Sequence, residues 1–511
     1  MIALSEEHRR PVPLRMSRWS ASIGEVVGAS LLLAVGAFLY RYSFNWPFTD
    51  DINTIIWYKR FFLSHELGLF DLLRAWDNSH PVGVQALVTT LLLKAFGINL
   101  VAILTFSVAL ITLSSVVLYR GANQYLNSPL ARVAFWPMLI LMVFHPTQME
   151  HLLWPFEVGW FLVNFILFSN AVAFERYGIA ALPMIVMGCL IASFCSAQGS
   201  LLWFVAGAHC LIRPKFACRG ALGLAFISIG ILGAAAILHR VGSQAGEYSL
   251  AGTDVLGLPW YALLLLGGIF GVHGHAALGV LGLTLVCVVI LMGLQLYREA
   301  RFGPPERIAI TMVLASALFV MSFSVGRSKF GIDWATSTFH DAPLLVPFMV
   351  GVLILSLRLF PGHWLALIAV VLLGASVASA LPYGIEYADG WLMQRGLAMR
   401  ITCDAEAPRD LIDRANGLAG YDAELNEAMP VIRPLCTDGP YGRAARLLVY
   451  PQAFRDLGLS HPESSDHLLE LWRTYITRLD LLRAFPVDDP RSPTRLLDWA
   501  RSDTERHWNV P

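Results

Sequence analysis

Residues 276–296 read AALGVLGLTLVCVVILMGLQL, without a single charge. As a helix this run is roughly 30 Å long at ~1.5 Å per residue, which matches the hydrocarbon core of a bilayer. Comparable apolar runs recur at 22–40, 100–119, 133–146, 158–175, 179–196, 200–212, 221–239, 308–324, 343–359 and 363–380. In lipid every backbone N–H and C=O must be satisfied within the chain, so such runs cross as helices. The expectation is an all-α polytopic membrane protein with about eleven transmembrane helices. Composition agrees: 14% of residues are charged, against about 25% in soluble domains.

Arginine and lysine set the expected orientation. Arg9, Arg10, Arg15 and Arg18 precede the first run, which predicts a cytoplasmic N-terminal segment over 1–21. That run lacks an A-x-A cleavage site and is read as an uncleaved span. Arg120 and Arg132, then Arg176, then Arg213, Lys215 and Arg219, then Arg358, fall at alternate turns on that same side. Counting the apolar stretch 257–272 as a crossing would put Arg298, Arg301 and Arg307 outside, so it reads as re-entrant or interfacial. Residues 52–97 are interrupted by Asp71, Arg74, Asp77 and Lys94, and Ile52, Ile55 and Ile56 recur at helical spacing. They predict amphipathic helices along the outer face.

Past residue 380 the composition turns polar. This divides a transmembrane domain over 22–380 from a small α-rich extracytoplasmic domain over 381–511, where Leu468, Leu471, Trp472 and Ile476 sit at helical spacings. Cys403 and Cys436 are the two cysteines of that segment. In an oxidising compartment they are natural disulfide partners, closing a loop of about thirty residues worth roughly 3–4 kcal/mol. The other five lie singly in or beside apolar runs, where a thiol acts as a small hydrophobe. A formal charge of zero gives no footprint for nucleic acid.

The unusual polar stretches fall on the expected outer side: TDD (49–51), DNSHP (77–81), HPTQMEHLLWPFE (145–157), CSAQGS (195–200), GVHGH (271–275) and GRSKFGIDWATSTFHD (326–341). Sorting His, Glu, Asp and Gln to one interface suits an active site fed by a lipid-linked substrate. A carboxylate there can take the proton of a hydroxyl nucleophile. Of two adjacent carboxylates, Asp50 and Asp51, repulsion raises one pKa and makes it the better base. A phosphate leaving group needs cations, and Arg327, Lys329 and His340 can supply them. A lipid-phosphate hydrolase needs the same parts, and a non-enzymatic lipid or sugar transporter is a further alternative. Simpler readings stand beside each residue. Asp50 and Asp51 can cap the following helix, Glu157 can open one, the cations can anchor to headgroups, and the tryptophans can form an interfacial belt.

A first span, an acidic pair within about ten residues of its outer end, amphipathic helices and then a second span together resemble the GT-C superfamily of integral membrane glycosyltransferases. DNSHP is similar to an Asn-x-His element of bacterial members, QMEHLLW to a Gln-x-Glu…Trp element of the second outer loop, and SAQGSLLW to the small-residue turn that comes next. GRSKFGIDWATSTFHD is similar to a late loop that usually carries Arg-Tyr, where this chain has Phe339-His340. The likeness covers about residues 20–380. It implies an inverting transfer of sugar from a polyprenyl-phosphate donor to an acceptor hydroxyl of a glycan, lipid or protein, outside a bacterial cytoplasmic (inner) membrane. Asp50 is then the base and Asp51 its neighbour; Asn78, His80, Gln148, Glu150, Trp154, Arg327, Lys329 and His340 contact substrate. A divalent metal such as Mg or Mn is an optional cofactor, with Asp51 and Glu150 as candidate ligands.

Overall fold

A computed structural model describes residues 18–437 apart from 44, 78–79, 127, 214–217, 243–254, 271–273, 299–301, 329–330, 333–334, 336–341, 360–362 and 404–421. The expectations for the N-terminal segment and for the spacing at 468–485 therefore lie outside the described residues. In chain order the helices begin with α1 (Arg18–Tyr42), α2 (Asp51–Tyr58) and α3 (Leu69–Leu73). A two-stranded hairpin follows, β1 (Trp76–Asp77) and β2 (His80–Pro81), then α4 (Gly83–Phe96), α5 (Leu100–Ala122), α6 (Pro129–Val143), α7 (Met149–Leu153) and α8 (Val158–Tyr177). Next come α9 (Leu182–Ser193), α10 (Leu202–Ile212), α11 (Arg219–Gly242), α12 (Leu258–Gly268) and α13 (His275–Arg298). The described chain closes with α14 (Pro304–Arg327), α15 (Ala342–Leu359), α16 (His363–Cys403) and α17 (Asp422–Ile432).

Among the described residues nine helical runs are long and apolar enough to cross a membrane, and the protein is an all-α, multi-pass membrane protein. The count differs from eleven for two reasons. The runs expected at 158–175 and 179–196 form one apolar stretch, Pro155–Ser193, and the run at 200–212 is a shorter helix. Gly178, at φ +60°, turns that stretch back on itself. A Cβ on Gly188 would lie 3.0 Å from Asn170 Oδ1 and from Ile166 Cγ2, so α9 returns antiparallel against α8. Helix α12 has 11 residues, about 16 Å of rise, half of what a crossing needs. It packs antiparallel on α13 with no room between backbones: a Cβ on Gly282 would sit 2.0 Å from Leu263 O. Small residues of this kind are how helices associate where lipid supplies no hydrophobic drive.

Proline positions show how the bundle keeps its backbone satisfied. Pro347 lies inside α15 and has no N–H, which frees the carbonyl one turn back. That carbonyl, on Pro343, accepts a 2.7 Å hydrogen bond from Asn164 Nδ2 of α8. One residue on, Ser316 of α14 inserts its hydroxyl into the ladder. It donates to Leu344 O at 2.6 Å and accepts from Phe348 N at 2.9 Å. Two polar side chains on neighbouring helices thus repair one proline kink.

The end of the bundle expected to face the cytoplasm holds more than isolated arginines. Arg307 Nε and Nη2 grip both oxygens of Glu175 at 2.8 and 2.6 Å. His209 bridges Glu175 at 2.9 Å and Thr311 at 2.7 Å, and Arg358 meets Glu306 at 2.7 Å. Buried charges are paired, as low dielectric requires. These acids stand within or at the ends of apolar helices, so their role as partners appears only once helices α8, α10, α14 and α15 are assembled.

Helix α16 has 41 residues and is about 60 Å long, twice the hydrocarbon thickness. Only Leu367–Ile385 meets the criterion for a crossing. The expected domain boundary at 380/381 therefore falls inside one continuous helix, whose second half stands beyond the membrane at the end carrying the acidic loop. Helix α17 docks on α2 and the turn that follows it. Glu427 takes a two-pronged grip from Arg60, and its carbonyl accepts from Lys59 Nζ at 3.1 Å. Cys436 is disulfide-bonded; the side chain of Cys403, its expected partner, lies outside the described residues.

Candidate functional site

The loop between α1 and α2 reverses tightly before Asp51 begins the helix. Thr49 has φ +50°, a left-handed conformation that β-branched residues rarely adopt. Asp50 follows at φ −65° and ψ −14°, and its carboxylate makes no capping bond to α2. The cap reading of Asp50 is thus not what the geometry displays. Asp51 is fully buried, and both of its oxygens are engaged. Oδ1 accepts from Phe156 N at 3.0 Å; Oδ2 accepts from Phe48 N at 3.3 Å and from Arg395 Nη2 at 2.7 Å. Burial still pushes its carboxyl up to about 6, with Arg395 as the opposing influence. The catalytic and metal-binding roles expected of Asp51 give way to an anchoring one, because a substrate or cation would have to displace the guanidinium.

The DNSHP stretch forms the hairpin. Asp77 pairs with His80 in its register, and Trp76 with Pro81, so the facing residues Asp77 and His80 lie side by side. Asn78, expected at the site, lies outside the described residues. Asp77 Oδ1 accepts from Asn53 Nδ2 of α2 at 2.9 Å, tying hairpin to helix. Burial, then the nearby Glu157, push the Asp77 carboxyl up to about 6. His80 is driven down to about 4 by burial and by the charge of Arg327, so its imidazole is neutral at pH 7. Arg240, in the last turn of α11, lies with Cζ 4.4 Å from the centre of the Trp76 ring and braces the hairpin from below.

These elements bring four ionisable groups around Asp50. Its carboxyl is raised well above the usual range, first by burial, then by Asp77, Glu157 and Asp51, while Arg327 opposes the rise. Arg327 ends α14, where a cation also suits the negative end of the helix dipole. Lys329 and His340, expected beside it, lie outside the described residues. Glu157, just ahead of α8, is buried and stands 3.6 Å from His151 Nδ1.

The second loop is built from short turns. Gln148 spends its amide on the carbonyls of Met142 and Val143 at 3.0 and 2.9 Å, closing the end of α6, so it holds the loop. Glu150 is half-buried in the first turn of α7. Trp154 packs into an aromatic wall with Phe156, at 6.3 Å between ring centres, and Trp391, at 5.7 Å. Trp391 donates from Nε1 to Leu153 O at 3.1 Å and stacks on Tyr387.

Asp77, Asn53 and Arg395 were not singled out from sequence as site residues, and Glu157 was read as opening a helix. Asp77 and Glu157 stood within the quoted stretches, but nothing in a linear chain shows residues eighty positions apart to be neighbours. Arg395 had a signal that composition concealed. Ala380, Gly384, Ala388, Trp391, Arg395, Ala398 and Thr402 are buried at helical spacing straight through the polar boundary.

Among the described residues no group of three or more His, Cys, Asp or Glu is placed to hold a metal ion, so no step is assigned to one. The fold and site define a multi-pass helical membrane protein with clustered carboxylates and a cation at one end. No known family, curated protein or solved structure matches the chain.

Proposed function

We propose that the protein is a GT-C-like glycosyltransferase, moving a sugar from a polyprenyl-phosphate donor to an acceptor hydroxyl. The observation that carries this reading is the state of Asp50: a carboxylate that does not cap its helix and sits among Asp77, Glu157 and Arg327, raised well above the ordinary range. A base raised toward neutrality is better matched to deprotonating a hydroxyl than an ordinary aspartate. Asp50 takes the acceptor proton as oxygen attacks the sugar carbon, which inverts as the bond to phosphate breaks. Arg327, with Lys329 and His340 from the same late loop, stabilises the departing phosphate. Neutral His80, the half-buried Glu150 and Trp154 orient acceptor or sugar.

In this reading the acidic end faces the exterior of a bacterial cytoplasmic membrane, and α17 lies on that extracytoplasmic side. Asp50→Asn, as the sole copy in cells and at normal membrane abundance, is expected to remove the same glycan substituent that deletion removes. A deletion that alters the glycans while Asp50→Asn does not would dismiss Asp50 as the base.

A further inference from the structure

The guanidinium of Arg395 is fully buried and donates to the stretch that carries Asp50 through both terminal nitrogens. Nη2 donates to Asp51 Oδ2 at 2.7 Å, and Nη1 donates to Trp46 O at 2.9 Å. Its plane rests on Trp391, with Cζ 4.8 Å from the ring centre. Trp46 and Asp51 flank the left-handed Thr49. Inside that span Phe48 N donates to Asp51 Oδ2, Asp51 N to Phe48 O at 3.1 Å, and Ile52 N to Thr49 O at 3.0 Å. A strained residue persists only where its surroundings over-determine it, and one fork holds both ends of this turn. The same Asp51 carboxylate reaches Phe156 of the second loop, so a single ion pair joins two loops and α16.

We propose that Arg395 is a positioning residue for Asp50: by tying Asp51 and the Trp46 carbonyl together, it holds residues 46–51 in the turn that places the Asp50 carboxylate beside Asp77, Glu157 and Arg327. The proposal rests on Asp50 being the reacting group. It assigns the polar half of α16 a place in the site rather than in a separate outer domain.

The test reads Asp50 itself, on the full chain in lipid nanodiscs. A carbodiimide with an amine nucleophile traps protonated carboxyls; mass spectrometry of the Asp50 peptide across pH gives its labelling midpoint. The groups facing it are Asp77 on β1, Glu157 ahead of α8, Asp51 on α2 and Arg327 on α14, and none changes in Arg395→Lys. Lysine keeps the charge and loses the planar fork. Arg395→Met with Asp51→Leu removes both ions, so neither is stranded. In Arg395→Lys the midpoint is expected to fall by about one pH unit or more as the turn loosens and water reaches Asp50; in the double variant the loss of the Asp51 charge, which raises Asp50, adds to the fall. A folded variant of either kind that keeps the wild-type midpoint overturns the proposal. If the midpoint falls but Asp50→Asn leaves cell glycans unchanged, Arg395 keeps its positioning role and the transferase reading fails instead.

Discussion

Asp77 shows what a single buried carboxyl contributes. Its pKa is about 6 in the folded protein, against an ordinary value of 3.8. The folded state therefore binds this proton more tightly than the unfolded chain does, and stability falls as pH rises from about 4 to about 6. Asp77→Asn can still accept from Asn53 but cannot ionise. It is expected to be more stable than wild type at pH 8, by up to about 3 kcal/mol, and equal to it near pH 4. Thermal unfolding of both proteins at three pH values checks this; a gap that ignores pH would show that Asp77 is not held protonated by its surroundings. His80 runs the other way. Its pKa lies near 4 instead of 6.5, so its burial in the neutral form costs stability as pH falls through that window. Asp50 was legible in the sequence because a carboxylate just past an apolar run has few uses. The state of Asp77 was not, since it depends on burial and then on Glu157.

Helix α15 makes the equivalent point for an element. Its apolar run was readable from residue types alone, and so was the proline within it, but not the two residues that repair the kink. Asn164→Leu and Ser316→Ala are each expected to destabilise the protein by about 0.6–1.7 kcal/mol, the range for polar contacts between membrane helices. In a Pro347→Leu background the Asn164→Leu cost should shrink, because the restored backbone N–H can take the Pro343 carbonyl. Equal costs in the two backgrounds, measured by unfolding in lipid, would mean the asparagine acts elsewhere. Helices were thus legible wherever a long run is apolar on every face. Where α16 leaves the membrane its described buried residues still recur at helical spacing, and average polarity hides them although the period persists.

For the molecule as a whole, the clamp between the turn after α2 and α17 sets how firmly the described C-terminal part is held. Arg60 holds Glu427 below the usual carboxylate range, so this contribution is present above an ordinary glutamate pKa and is lost as pH falls through and below it. Glu427→Gln is expected to cost no more than about 1 kcal/mol globally, because the pair is partly exposed. It should nonetheless speed amide exchange in α17, while α2 is held by its own packing. Exchange in α17 that stays unchanged would mean other contacts dock it. The charge pattern alone separated membrane body from polar tail. It did not show that the two share a helix, because continuity of a helix is not a property of composition.

That continuity has a consequence for where this protein can be divided. Ending the chain at residue 385 would keep the apolar crossings and discard only residues that hydropathy treats as an appendage. It would also leave Asp51 as a carboxylate in the protein interior with no counter-charge, a loss of about 3–5 kcal/mol when one partner of a buried pair is removed. The interior of this protein therefore needs residues past the bilayer, Arg395 first among them.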